Sequence, residues 1–279
     1  RARIHAVLPR RSQFVRKVAG RRVEGQVVAA NVDTVFLVSS LNQDLNPRRM
    51  ERYLTQVWES GASPVVVINK ADLCEPAQAE SLAAEIESAA IGVPVVLVSA
   101  ATGAGFEALA PYLVAGRTVA LLGSSGVGKS TIINRLLGRE VQAVREVREE
   151  DDRGRHATTT RQLFALPGGA LVIDTPGMRE LSLWSEGAGV EQTFADIEAL
   201  ARECRFTDCG HEAEPGCAVQ GALSEGRVET ERVESWRKLQ RELAFLERKR
   251  DKGLLAAERD KWKPIHREIR RIYKGRLKP

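Results

Sequence analysis

Asn69-Lys70-Ala71-Asp72 and, later in the chain, Gly123-Ser124-Ser125-Gly126-Val127-Gly128-Lys129-Ser130 are the two stretches whose order decides the fold. The second matches G-x-x-x-x-G-K-[ST] without exception. It stands between an apolar run, Val119 to Leu122, and a helical one, Ser130 to Leu137. In a strand–loop–helix setting the N–H groups of Gly126, Val127 and Gly128 form a concave nest for an anion at a helix N-terminus. Lys129 is then expected to reach the β- and γ-phosphates of a nucleotide and the Ser130 hydroxyl to ligate Mg²⁺, with Ser124, Ser125 and Thr131 completing the contacts. Gly123 and Gly128 permit a close backbone approach that a side chain would block.

The first stretch follows Pro64-Val65-Val66-Val67-Ile68, which reads as a buried parallel strand. A site at the carboxyl end of such a strand is where open α/β sheets bind ligands. The Asp72 carboxylate can accept from the N1–H and the exocyclic amine of guanine, whereas adenine offers no such donor pair, so the motif argues for GTP over ATP. Ser99-Ala100, ending the run Val93 to Val98, supplies small residues to lie against the base. Asp174-Thr175-Pro176-Gly177 ends a third apolar run, Ala170 to Ile173; Asp174 would hold Mg²⁺ and Gly177 would offer its N–H to the γ-phosphate. An ordinary GTPase domain opens with the phosphate loop and reads the base late. Here the base-reading motif comes first and all three motifs are intact, so the domain reads as circularly permuted, a change compact domains tolerate because their termini lie at the surface. Met178 stands where a Ras-type GTPase carries the glutamine that orients the attacking water. Slow hydrolysis by the isolated chain is therefore expected.

Cys204-x4-Cys209-x-His211-x5-Cys217 is a separate constellation. Three thiolates and an imidazole suit a closed tetrahedral Zn²⁺ site of structural type. The spacing differs from the usual C-x2-C knuckle, and separate buried cysteines with a surface histidine, or a redox cluster, are the alternative readings. Cys74 is remote from them and reads as a small loop or core residue. The four cysteines do not suggest a disulfide scaffold.

The net charge of +5 conceals an asymmetry. From Trp236 to Pro279 there are sixteen Lys/Arg against six Asp/Glu, a local +10 that leaves −5 for the remainder. Leu239, Leu243 and Leu246, and later Ile265, Ile269 and Ile272, fall at helical spacing in this segment, with Trp236, Trp262 and Tyr273 interleaved. A charge run is usually a solvated face; this one reads better as a phosphate-contacting surface whose binding falls steeply with salt. Arg1 to Arg22 is basic as well. No apolar run approaches a membrane span and no signal-peptide pattern is present, so a cytoplasmic protein without a membrane partner is expected. The chain opens at Arg1 without methionine, and a missing N-terminal segment is expected.

The expected organisation has three parts: residues 1–26 with short β-like pieces (Ile4 to Leu8, Phe14 to Val18) as the tail of a small β-domain, 27–186 as an α/β nucleotide domain with a mostly parallel sheet, and 187–279 as a helical region around the cysteine cluster, ending in basic helices. The motif order, taken with the cysteine cluster, resembles the RsgA family of circularly permuted GTPases. Asp152-Arg153-Gly154-Arg155-His156-Ala157-Thr158-Thr159-Thr160 is similar to that family's switch I, including its Gly-Arg-His. Ala157 stands where the family usually has threonine, which leaves the Mg²⁺-binding residue open between Thr158 and Thr159.

The resemblance implies an N-terminal OB-fold, of which residues 1–26 are the last stretch, a central GTPase domain and a C-terminal zinc domain. It further implies a monomer that grips the small ribosomal subunit and its rRNA, hydrolyses GTP to GDP to assist late maturation, and is stimulated by that subunit. His156 is the candidate for the missing catalytic group, because a neutral imidazole can accept a hydrogen bond from water. Chain order suggests that Asp174 to Met178, leading into the cysteine cluster, couples the γ-phosphate to the C-terminal region. The rival readings are a GTPase acting on another structured RNA, and an RNA-binding module with a vestigial nucleotide site; GTP turnover separates the last from the others.

Overall fold

The computed structural model describes residues 4–7, 9–17, 25–41, 45–140, 162–174, 187–250 and 262. Two antiparallel strands come first, β1 (Gln13–Lys17) and β2 (Gly25–Ala30), with a register shift between Phe14 and Val15. Phe14, beside the shift, is buried with Val28 and Ala29 in the main core. Residues 4–7, expected to be β-like, belong to no strand and leave Ile4 and Val7 exposed; Leu8 and Val18 lie outside the described residues.

Six further strands form one sheet in the order β5-β4-β3-β6-β8-β7. They are β3 (Thr34–Ser40), β4 (Ser63–Asn69), β5 (Val95–Leu97), β6 (Thr118–Leu122), β7 (Gln162–Ala165) and β8 (Leu171–Asp174). All pairings are parallel except β7 with β8. The central strand β3 is buried along its whole length, as its run of Val35, Phe36, Leu37 and Val38 requires of a strand covered on both faces. One face packs Leu37, Val66 and Ile68 against α1 (Pro47–Ser60) and α2 (Pro76–Ala89). The other packs Phe36, Val67 and Leu121 against α3 (Lys129–Leu137) and the turn Phe106–Tyr112. Helix α1 starts cleanly: Pro47 opens its first turn and the Asn46 side chain accepts from the Arg49 N–H at 3.0 Å.

The C-terminal helices α4 (Ala188–Thr193), α5 (Ala195–Arg202), α6 (Ala218–Ser224) and α7 (Thr230–Arg250) enclose a separate apolar cluster of Val190, Phe194, Ile197, Val219, Val233 and Trp236. Leu239 and Leu243 extend it along α7, as their helical spacing predicts. The expected later isoleucines, Tyr273 and most of the basic C-terminal segment lie outside the described residues.

This bundle is fastened to the nucleotide domain by charge. Arg232, 5% exposed, donates to Glu51 Oε1 at 2.9 Å, to both Asp196 oxygens at 2.8 and 3.0 Å, and to the carbonyls of Thr193 (3.0 Å) and Ala89 (3.2 Å). Its guanidinium also lies 4.9 Å from the Phe194 ring centroid. Burial pushes the Glu51 carboxyl above the usual carboxylate range although Arg48 and Arg232 both pull it down. Such a cluster fixes register more than it adds stability, but breaking it strands a buried charge. Arg232→Met should therefore lose about 3–5 kcal/mol in urea unfolding, and a second change, Glu51→Gln, should restore part of that loss.

Candidate nucleotide and metal sites

The carboxyl ends of β3, β4, β6 and β8 lie together because these strands run parallel and in register, with Leu37 opposite both Val66 and Leu122, and Ala120 opposite Ile173. The glycine-rich loop therefore leaves β6 directly beside the end of β3. A Cβ on Gly123 would stand 2.1 Å from the Val38 carbonyl oxygen, so only glycine fits where the loop turns off the sheet. The loop ends at Gly128, in a left-handed conformation before α3, where a Cβ would come 2.3 Å from Asn69 Nδ2. No side chain caps α3, and the first N–H groups of a helix lack intrahelical partners, which suits an anion at this end. Val127 is buried in the core, whereas Ser125 and Gly126 are exposed. The Lys129 ammonium bonds the Gly123 carbonyl at 2.9 Å and that of Ser124, holding the loop closed on itself. Ser130 and Thr131 are half-buried at the start of α3.

Asn69 ends β4 at 2% exposure and joins three loops. Its Nδ2 donates to the Val127 carbonyl at 2.8 Å, and its Oδ1 accepts from the Ala100 N–H at 2.9 Å. The base-reading stretch is thus locked both to the phosphate loop and to Ser99-Ala100. Lys70 adopts a left-handed conformation, and Ala71 donates to the Val98 carbonyl at 3.1 Å. The exposed Asp72 carboxylate accepts from Ser99 Oγ at 2.5 Å, which fixes it at the rim. The asparagine holds these parts together, while Asp72 lies exposed at the rim.

Two arginines that no motif identified complete the arrangement. Arg135 of α3 reaches back to the carbonyls of Ala100 (3.3 Å), Ala101 (3.3 Å) and Thr102 (2.5 Å), bracing the loop after β5. Arg49, in the first turn of α1, donates to Ser124 Oγ at 2.9 Å. Asp174 closes β8 on the same side of the sheet, half-buried. The remaining sequence candidates, namely His156, Thr158, Thr159, Gly177 and Met178, lie outside the described residues.

The cysteine constellation does assemble. The Sγ atoms of Cys204, Cys209 and Cys217 and a ring nitrogen of His211 all lie within 4.8 Å of one another. Cys204 Sγ is 3.8 Å from Cys217 Sγ, and His211 Nδ1 is 3.4 and 3.6 Å from those two sulfurs. A tetrahedron with metal–sulfur bonds of about 2.3 Å has sulfur–sulfur edges of about 3.8 Å, so these groups are compatible with a structural zinc.

Bonds within the loop and to α6 and α7 hold this arrangement. His211 has a positive φ of 58°, and its carbonyl accepts from Gln220 Nε2 at 2.6 Å and from Arg237. The Glu214 carboxylate gathers the N–H groups of Gly210, Glu212 and Ala213. Cys217 caps α6, its sulfur accepting from the Gln220 N–H at 3.4 Å. Burial and the neighbouring thiols push Cys209 up to about 11. Burial acts the same way on Cys204, but the N–H groups of Ala218 and Val219 and the adjacent thiols bring it below the usual thiol value. Crowded thiols resist joint ionisation, and a dication at their centre removes that resistance.

The three-loop role of Asn69 has a direct test. Asn69→Ala leaves the Val127 carbonyl and the Ala100 N–H buried without partners, which costs about 1–3 kcal/mol for each group left unsatisfied. Nucleotide affinity measured by titration should fall at least tenfold, together with a lower midpoint of unfolding.

Comparison with known proteins agrees with this geometry. The family described as RsgA GTPase matches residues 7–184. A second family, described as 50S ribosome-binding GTPase, matches residues 118–278, a span that begins in β6 just before the phosphate loop, as an unpermuted domain would. The chain is 54% identical over 264 residues to the small ribosomal subunit biogenesis GTPase RsgA of Opitutus terrae, covering 94% of this chain and 71% of that one. It is 51% identical over 263 residues to the Oceanobacillus iheyensis protein named small ribosomal subunit biogenesis GTPase RsgA 1, covering 94% and 74%. The crystal structure of YjeQ from Thermotoga maritima superposes with a TM-score of 0.63 at 29% identity, over 86% of this chain and 78% of that one. YloQ, titled a circularly permuted GTPase, shares the fold with a TM-score of 0.56. With its nucleotide loops in permuted order and a relative more than half identical over nearly its whole length, the chain belongs to the RsgA GTPase family.

Proposed function

We propose that this GTPase binds the small ribosomal subunit through its rRNA, hydrolyses GTP to assist late maturation of the subunit, and leaves on hydrolysis. The observation that carries the reading is the Asn69 carboxamide, which holds the base-reading stretch and the phosphate loop as one intact site. The 54% and 51% identical relatives are named as small ribosomal subunit biogenesis GTPases, and this supports the small subunit as the partner. Residues 1–26, 27–186 and 187–279 serve as the OB-fold remnant, the GTPase domain and the metal-stabilised, RNA-facing domain. Arg237, Lys238, Arg241 and Lys249 of α7 begin the basic surface. Among the described residues no helix is long and apolar enough to cross a membrane. On this reading the protein works in the cytoplasm as a monomer.

In the nucleotide site Asp72 accepts from N1–H and the amine of guanine, with Lys70, Ala71, Ser99 and Ala100 lining the base. The N–H groups of Gly126, Val127 and Gly128 and the Lys129 ammonium, drawn from its loop carbonyls, neutralise the β- and γ-phosphates. Ser130, Asp174 and Thr159 or Thr158 would hold Mg²⁺, which supplies charge neutralisation to the phosphates when bound. Water attacks the γ-phosphorus as the bridging β–γ P–O bond breaks; the bonding electrons stay with GDP and the water proton passes to the released phosphate or to His156. His156 orients that water and Gly177 holds the γ-phosphate, so a site without the glutamine still turns over.

Two measurements test this reading. Cosedimentation with isolated small subunits at fixed salt should show tighter binding with a non-hydrolysable GTP analogue than with GDP. Subunits should also stimulate turnover in the wild-type protein and far less in His156→Ala, by about 10²–10⁴-fold if the imidazole acts as a positioned base. Equal affinity in both nucleotide states would reject the release step, and equal stimulation would remove His156 from catalysis.

The metal assignment is structural zinc on Cys204, Cys209, His211 and Cys217, four protein ligands with no open position. Metal analysis should find about one zinc per chain. Cys209→Ser or chelation should remove it and unfold the C-terminal helices while the six-stranded sheet persists, seen by hydrogen exchange.

A further inference from the structure

The first turn of α1 holds two adjacent arginines, Arg48 and Arg49, and no acidic residue, a placement that opposes the helix macrodipole. Arg48 is offset by Glu51 and by Glu229, the latter at 2.7 Å. Arg49 turns the other way, across to the phosphate loop, where its NH1 meets Ser124 Oγ at 2.9 Å. The carbonyl of the same serine accepts from Lys129. Ser124 is therefore held from two sides, by the loop's own lysine and by a helix that belongs to a different part of the sheet.

Further along α1 the contacts are to the C-terminal helices. Glu51 meets Arg232 at 2.9 Å, and Arg52 pairs with both oxygens of Glu242 at 2.6 and 2.8 Å. Thr55 bonds the Thr193 hydroxyl at 3.2 Å, and Glu59 accepts from the Gly189 N–H at 2.9 Å. One rigid helix thus touches the phosphate loop at its start and the C-terminal bundle along the rest of its length.

We propose that Arg49 is a positioning residue of the GTPase site, shaping the first bend of the phosphate loop through Ser124. Through it, α1 makes the loop's grip on nucleotide depend on the docking of the C-terminal helices. The inference rests on reading Gly123 to Ser130 as the GTP phosphate loop. Rigid secondary elements and salt-bridge networks are among the structures through which coupling between distant sites is carried. The region expected to meet RNA would in this way tune nucleotide affinity without touching the nucleotide.

The test is a mutant cycle read by titration of a fluorescent GTP analogue. Arg49→Met should weaken binding about fivefold, the equivalent of about 1 kcal/mol for one exposed bond to a charged donor. Arg49→Lys should recover part of it, and the midpoint of unfolding should not move. Arg52→Met, which severs the bond to Glu242, should weaken binding in the wild-type background and add nothing in the Arg49→Met background. Wild-type affinity in either single mutant, or effects that multiply in the double mutant, overturns the proposal. Lys129→Ala separates the two levels. If it binds nucleotide normally, the phosphate-loop reading itself falls and the inference with it; if it loses binding while Arg49→Met does not, only the inference falls.

Discussion

The carboxamide of Asn69 is the joint on which the nucleotide half of the molecule depends. At 2% exposure it cannot exchange its partners for water, so its donor and its acceptor both need a fixed mate. The donor takes the Val127 carbonyl and the acceptor takes the Ala100 N–H, which sets three loops from three strands at one separation. Gly128 is glycine for the same reason, since a Cβ there would collide with the amide. Permutation moved the chain's ends but left this joint alone, because its bonds link the ends of neighbouring strands whatever their order along the chain.

The link between the two halves obeys a different physics. Arg232 and Glu51 are almost wholly removed from solvent, and a buried pair gains little over an apolar contact of the same volume. What it does provide is direction. A guanidinium that must meet Glu51, Asp196 and two backbone carbonyls at once accepts only one docking of the C-terminal helices on α1. Chain order suggested that communication with the C-terminal region would pass through the segment after Asp174. That segment lies outside the described residues; among the described residues, contacts between the two halves run through α1, a helix that carries no nucleotide motif.

The cysteine–histidine cluster lies in a short loop without a core of its own. Between α5 and α6 the chain must reverse direction with few apolar residues, and His211 accepts a left-handed conformation to do so. Its ring lies 5.3 Å from that of Trp236, a residue of the bundle's core, so the ligand cluster and the hydrophobic packing of α7 are parts of one structure.

The sequence by itself determined the α/β class and the permuted order of the motifs, and it picked out the four residues that cluster, Cys204, Cys209, His211 and Cys217. Each motif is a local pattern of residue type at fixed spacing, which is why it is legible before folding. It also predicted β4, β6 and β8 from continuous apolar runs, because strands covered on both faces have no polar alternation. The tertiary structure decided what the motifs could not. Asn69 clamps three loops together, Arg135 and Arg49 brace loops from distant helices, and Arg232 docks the C-terminal bundle. These partners lie 31 to 181 residues apart and share no periodicity. An arginine destined for such a bond looks in sequence like any other charge on a solvated face, and only folding reveals which carbonyl or carboxylate it was placed to meet.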